Sequence, residues 1–483
     1  MKTTVAVLEK SGGDAAAKVV SLLVKSFPES NTRFVLATPD KIAIAEGSKP
    51  LYTKKVTSVT AVGNASTSGR GETVTLKTQN ATVVFDGRIY SPMLESSIDE
   101  FILKKIRSDY EKPMAAFLQH VEGDFSLIVV QEEKLLVTRD PMGVRPFYYG
   151  ENETIAAIAS NRKTLWALGI TTPKSFPPGY LGIVTKKGFK LKPIQTLTFA
   201  GPKSISIDEA AAKLQKLLDR AVQARVAGLK KVAVAFSGGL DSGLIASLAK
   251  KTDLDVLLLH VSMEGQSETE EARKAAEQLE LPLQVHLFTE ADLRRILPKV
   301  VELIEDPEPV KASVGVPFYW NAQKAAKAGY NVLLAGQGAD ELFGGYKRYI
   351  DEYISKGEEA VRKTMFHDVA VIHESNIERD EKICDYHDVE LRLPFASFDL
   401  AEFAMSLPTD LKLEKRDDSL RKLVLRKTAE NLGLPRDIVW KPKKALQYST
   451  GVNNALRKLA HSRSLTVAEY VNQLFLEARE ESK

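Results

Sequence analysis

Five apolar residues, Val232 to Phe236, run straight into Ser237-Gly238-Gly239-Leu240-Asp241-Ser242, and no other stretch so narrows what this chain can fold into. A short, partly β-branched apolar run predicts a buried parallel strand. Ser-Gly-Gly breaks it, and Leu244, Ile245, Leu248 and Ala249 then recur at helical spacing. Strand, tight glycine turn and helix N-terminus together make an anion site. Glycine lets backbone approach closely, and the unpaired N–H groups at the positive end of the helix face the ligand. Ser237 and Ser242 add hydroxyl donors. Asp241 would repel a phosphate unless a divalent cation lay between them, which predicts Mg²⁺ shared with phosphate oxygens. Taken alone, Gly-Gly is only a turn, and Asp241 only a first-turn acid favoured by the helix dipole.

The rest of the chain sets bounds. At 483 residues, 44% hydrophobic and 27% charged, it has the composition of a globular protein of two domains, or three. Apolar runs such as Val256 to Leu259 are far shorter than a membrane span, and the N-terminus lacks a signal-peptide core, so a cytoplasmic protein with no membrane role is expected. A net charge of +4 from 67 basic and 63 acidic residues predicts no nucleic-acid partner. One cysteine, Cys384, excludes an intrachain disulfide and a cysteine-rich zinc site, and the seven histidines lack metal-ligand spacing.

Breaker residues at Ala200-Gly201-Pro202 suggest a boundary, with one domain over residues 1–200 and a second over 201–483. In the first half, short β-runs (Val5–Leu8, Phe34–Ala37, Val74–Leu76, Thr82–Phe85, Phe125–Val130, Leu135–Thr138, Leu181–Val184) and helices near Ala15–Lys25 and Ile98–Ser108 predict an α+β layered domain. These strands alternate poorly, as in sheets covered on both faces. In the second half an amphipathic helix starts at Ile207, with Asp208 as its cap. Strands at Asp255–Val261, Leu283–Phe288 and Asn331–Ala335 then alternate with helices, which predicts a doubly wound parallel sheet with its ligand at the carboxyl ends of the strands.

The string Ser-Gly-Gly-Leu-Asp-Ser resembles the pyrophosphate-binding loop of the ATP pyrophosphatases and lacks the Gly-Lys-Ser/Thr of a Walker loop. The second loop, Gly336-Gln337-Gly338-Ala339-Asp340-Glu341-Leu342-Phe343-Gly344-Gly345-Tyr346, resembles the signature of asparagine synthetases and the related β-lactam synthetases. Further resemblances are Arg379-Asp380, Glu390-Leu391-Arg392-Leu393-Pro394-Phe395, the Lys-x-x-Leu-Arg helix at Ser419–Leu425, and Lys441-Pro442-Lys443-Lys444-Ala445-Leu446-Gln447. What the resemblance implies is an AMP-forming ligase that adenylates a carboxylate, aspartate first, and passes it to ammonia. ATP would sit on Ala235, Ser237, Gly238, Gly239, Asp241, Ser242, Val261, Ser262, Ala335 and Gly336, and Asp241 and Asp340 would hold Mg²⁺. Lys443 would meet the charge on the α-phosphoryl group. Gln337 would stand by the nucleophile, where asparagine synthetases carry glutamate and β-lactam synthetases tyrosine. Glu390 and Arg392 read as a structural ion pair.

In the first half, Glu122–Leu127, Val137–Tyr149, Ala159–Leu165 and Phe176–Gly179 resemble class II glutamine amidotransferase domains. That resemblance implies an N-terminal-nucleophile hydrolase fold, an αββα sandwich, but the nucleophile is absent. Such domains use an N-terminal cysteine, and here Lys2 follows Met1. The glutamine-binding loop would fall near Pro28–Asn31, without an arginine, and Asp86-Gly87-Arg88 stands for Asn-Gly-Glu, putting an anion where an oxyanion would form. Thr3 or Thr4 as a replacement nucleophile finds no other part of a site. The domain is therefore expected not to cleave glutamine, leaving ammonia to arrive free or from a separate partner; a homodimer is a family expectation. Two other readings remain: adenylation of a different carboxylate or nucleobase, and a catalytically quiet subunit for binding or assembly.

Overall fold

In the computed structural model, residues 2–27, 32–47, 56–67, 73–94, 96–106, 109–414, 420–442 and 446–481 are described. The chain divides into two compact units, Met1–Thr196 with Arg479–Lys483, and Leu197–Ala478. No helix among the described residues is long and apolar enough to cross a membrane.

The first unit holds two antiparallel sheets. One runs in the order Lys174–Ser175, Tyr148–Glu151, Ile155–Ala159, Lys2–Glu9, Thr60–Ser66, Arg33–Ala37, Ile42–Glu46. The other runs Gly188–Pro193, Tyr180–Thr185, Leu135–Arg139, Glu122–Val130, Thr82–Ser91, Thr73–Lys77. Successive side chains of a strand point to opposite faces, so Ala6, Leu8 and Val62 of the first sheet meet Val84, Ile128 and Val130 of the second. Val5, Val7 and Ala61 on the other face bury Val19 and Leu23 of helix Ala15–Ser26. Val83, Phe85 and Leu127 likewise cover Ile102, Met114 and Phe117 of helices Ile98–Lys105 and Glu111–His120. The layers are thus helix, sheet, sheet, helix, and burial on both faces is why the strands show little alternation in sequence.

The second unit is built on a five-stranded parallel sheet ordered Leu283–Phe288, Asp255–Met263, Lys231–Ala235, Val332–Leu334, Glu390–Arg392. The apolar run of the sequence becomes its central strand, with Val232, Ala233 and Val234 wholly buried. Both glycine-rich loops therefore leave the carboxyl ends of adjacent strands.

Helix Ile207–Val226 is capped by Ser206 and not by Asp208. Ser206 Oγ accepts the Glu209 N–H at 3.3 Å and Glu209 Oε2 accepts the Ser206 N–H at 3.1 Å, a capping box. Asp208 lies two residues past the cap, inside the first turn, and pairs with Lys427 at 3.2 Å. Ser206→Ala is accordingly expected to lower the stability of this unit by about 1 kcal/mol. Asp208→Ala should be near neutral, and urea unfolding followed by far-UV circular dichroism distinguishes the two.

Candidate active site

The central strand Lys231–Ala235 opens into a turn that hands over to helix Leu240–Lys250. Gly238 takes φ +68°, and a Cβ there would stand 2.8 Å from Ala272 Cα, so both conformation and space require glycine. Ser242 Oγ accepts the Ser237 N–H at 3.2 Å, and Ser237 Oγ accepts the Gly239 N–H at 3.3 Å, which fixes the turn from within. Gly239 is the helix N-cap and has no side chain to cap the first turn, which leaves the first-turn amides and the positive helix end at the cavity described below.

The neighbouring strand Val332–Leu334 delivers the second loop. Gly338 at φ +96° starts the short helix Ala339–Phe343, and Gly344 at φ +76° ends it. A Cβ on Gly345 would overlap the Asp340 carboxylate and crowd Lys422 Cε, so this glycine makes room for an ion pair.

That ion pair is the centre of the site. Lys422 Nζ lies 2.7 Å from both carboxylate oxygens of Asp241 and 2.6 Å from Asp340 Oδ1. The Lys422 side chain is 2% exposed, and its backbone sits in the left-handed region at φ +63°. A non-glycine residue there stores roughly 1 kcal/mol of strain or more, which contacts to two carboxylates can hold in place. Beside it, Lys441 Nζ is 2.9 Å from Glu271 and donates to Gly238 O at 3.3 Å.

Gln337 gives its amide N–H to Asp380 Oδ2. Asp380 also takes two hydrogen bonds from Arg379, at 2.7 and 3.0 Å. Burial still raises the Asp380 pKa, against the pull of Arg379 and Gln337. Glu341 accepts from Tyr346 Oη at 2.6 Å and Asn376 Nδ2 at 2.7 Å, and burial followed by the neighbouring Asp340 pushes its carboxyl upward.

A cavity of about 880 Å³ lies over these strand ends, lined by Ala235, Ser237, Asp241, Ser242, Val261, Ala335, Gly336, Gln337 and Asp340. Gly239 lines a smaller cavity with Lys422 and Lys441. Gly238 packs on Ala272, and the buried Ser262 gives its hydroxyl to Met263 O at 3.0 Å. Lys443, with Lys444 and Ala445, lies outside the described residues, as does Ser419. Glu390 and Arg392 pair at 2.9 Å, and Arg392 also donates to Arg225 O, which binds the edge strand to helix Ile207–Val226. Lys422 is the residue to which the sequence reading gave no role; its signal was its place as the lysine of Lys-Leu-Val-Leu-Arg. Tyr346 and Asn376 were missed too, and nothing local marks Asn376.

In the first unit, Lys2 Nζ pairs with Asp86 Oδ1, and Thr4 Oγ1 stands 3.5 Å from Asp86 Oδ2. Burial alone would raise the Asp86 pKa, but Lys2 and then Arg145 hold it below the usual carboxylate range. Thr4 Oγ1 accepts from Asn64 at 2.8 Å and Thr3 Oγ1 from Asn161 at 3.1 Å, both deep in the sheet. Asp140 accepts the backbone N–H groups of Met142, Val144 and Arg145, and burial with the nearby Asp124 pushes it up to about 6. Arg139 donates to Phe176 O at 2.9 Å and Gly143 O at 2.6 Å, so Arg139-Asp140 serves to shape this turn. Pro28–Asn31 lie outside the described residues.

Two protein families match this chain. The family described as asparagine synthase matches residues 213–359 and 351–481, and one described as a glutamine amidotransferase domain matches residues 60–167. A putative glutamine-hydrolysing asparagine synthetase 1 of Methanocaldococcus jannaschii is 31% identical over 395 residues, 71% of this chain and 72% of that protein. The glutamine-hydrolysing asparagine synthetase of Sandersonia aurantiaca is 27% identical over 364 residues, 71% of this chain and 67% of its own length. Among solved structures, glutamine phosphoribosylpyrophosphate amidotransferase from B. subtilis, complexed with ADP and GMP, aligns over 59% of this chain and 65% of that one at 15% identity and a TM-score of 0.34.

Proposed function

The chain belongs to the asparagine synthase family of ATP-dependent ligases, and from that premise we propose that it adenylates aspartate with ATP and passes the acyl group to free ammonia. The observation that carries this reading is the meeting of Asp241 and Asp340, from adjacent strand ends, on one cation. Among the described residues no three His, Cys, Asp or Glu side chains stand together as a metal-ligand set. Two carboxylates with phosphate oxygens and water suit a hard, oxygen-seeking ion such as Mg²⁺. When bound there, the ion offsets the charge of departing pyrophosphate.

The loop amides and the hydroxyls of Ser237 and Ser242 hold the polyphosphate, and Lys422 and Lys441 supply fixed positive charge beside it. Lys443 keeps its proposed role at the α-phosphoryl group through the family likeness. A carboxylate oxygen of the acceptor attacks the α-phosphorus and pyrophosphate leaves. The ammonia lone pair then attacks the acyl carbon, AMP departs with the electrons of the acyl–oxygen bond, and the proton that the nitrogen sheds goes to the departing phosphate or to water. Gln337 takes no proton at neutral pH; with its N–H given to Asp380, its amide oxygen is the atom that orients an incoming amine. The same residue supports the second reading, a different acceptor in the same chemistry.

The Lys2–Asp86 pair supports an absence of glutaminase activity, since a half-buried cation and a buried anion sit where the family likeness puts a nucleophile and an oxyanion donor. With Mg-ATP and aspartate, ammonium is therefore expected to give pyrophosphate, AMP and asparagine, while glutamine in its place gives none and yields no glutamate. Mass spectrometry of the products decides: glutamate made as fast as pyrophosphate overturns the reading of the first unit, and ATP binding without turnover points to another acceptor.

A further inference from the structure

Lys412, just after the turn Thr409–Leu411, is 4% exposed, and its ammonium has no hydrogen-bond or ion-pair partner among the described residues. Lysine is almost never buried without a partner, because desolvating a lone ammonium is unfavourable by several kcal/mol. The charge that reaches it is another cation, Arg362 of helix Glu358–Ala370, whose guanidinium donates to Ala200 O and lies over the Phe199 ring. Burial first and Arg362 second push the Lys412 pKa down to about 7. Thr409 is 1% exposed and its hydroxyl also has no partner. Lys412, Arg362 and Thr409 line one cavity of about 10 Å³, walled by Phe199, Met365 and Phe366. That is room for one small particle at most. Of the acids on the neighbouring turns, Glu358 accepts the Thr409 N–H at 3.5 Å, and neither it nor Asp410 lines the cavity.

We propose that this cavity binds one chloride-sized monovalent anion, held by the Lys412 ammonium, the Arg362 guanidinium and the Thr409 hydroxyl. The Lys412 ammonium and the Thr409 hydroxyl are donors without an acceptor, Arg362 has N–H groups beyond the one given to Ala200 O, and one anion answers all of them through charge-assisted hydrogen bonds. A water molecule would offer lone pairs but leave the two positive charges uncompensated. The bound anion fastens the segment around Phe199 to helix Glu358–Ala370. The site is independent of the ligase chemistry and stands or falls without it.

The test compares the full chain and Lys412→Met in gluconate, chloride and bromide at fixed ionic strength, by thermal unfolding, with crystals of the unaltered protein grown in bromide. An anomalous bromide peak within hydrogen-bonding reach of Lys412 Nζ is expected. The variant should also bind halide at least about tenfold more weakly, as loss of one charge-assisted hydrogen bond requires. Thr409→Val, which keeps the cation, should weaken halide binding less and serves if Lys412→Met fails to fold. A water without anomalous signal at that position, or identical halide responses in the unaltered and altered chains, overturns the proposal.

Discussion

Asp241→Asn is expected to lower Mg²⁺-dependent pyrophosphate release at least about 10³-fold while the fold survives. Asparagine keeps the shape of the side chain and removes its charge, so Lys422 is left facing Asp340 alone and a metal loses one of two carboxylates. A factor of 10³ corresponds to about 4 kcal/mol of lost transition-state stabilisation, in the range seen when a pre-aligned charge is removed from a water-poor site. A coupled pyrophosphate assay across a Mg²⁺ titration measures it, with Asp208→Asn on the exposed helix start as a neutral control. Near-normal activity would remove Asp241 from the metal.

The second large effect belongs to the first unit. Lys2→Ala should destabilise that unit by about 3–5 kcal/mol, the usual consequence of breaking a buried pair from one side. Side-chain exposure is 11% for Lys2 and 12% for Asp86, so solvent screens little of the loss. The pH dependence gives a sharper signature. In the intact protein the Asp86 pKa is depressed, so its contribution is present above the unfolded carboxylate value and disappears as pH falls through the folded one. In Lys2→Ala the largest pull against burial is gone and, of the charges, Arg145 acts alone, so the loss of stability on acidification should shrink. Urea titrations of both proteins at neutral and mildly acidic pH measure the difference. Adding Asp86→Asn to Lys2→Ala should recover part of the stability, and a loss below about 1 kcal/mol at neutral pH would mean that the pair is solvated.

What the sequence made legible was local. Val232–Ser242 spells strand, turn and helix in consecutive residues, and Gly336–Gly345 spells the second loop in the same way. Both are placed by backbone conformation that glycine alone adopts easily, as Gly238 and Gly338 show. What stayed hidden depends on partners remote in sequence. Lys422 meets Asp241 across 181 residues, and Gln337 finds Asp380 across 43, so no window of sequence contains either contact. The strands Thr60–Ser66 and Ile155–Ala159 are hard to read for another reason: buried on both faces and rich in small residues, Ala above all, they lack the alternation that marks a half-exposed strand. The cap of helix Ile207–Val226 was misplaced by two residues because Asp208 and Ser206 are both good capping residues, and only the glutamate three positions after Ser206 tells them apart.

The Lys2–Asp86 pair also bears on ancestry. If a cysteine and an asparagine once stood at these positions, a lineage seeking to recover them could not do so one step at a time without passing through an intermediate in which Lys2 or Asp86 has lost its ion-pair partner. Such an intermediate would be selected against for folding, regardless of any catalytic promise. On that premise the pair would act as a ratchet, each residue protecting the other from replacement while the surrounding sheet drifts.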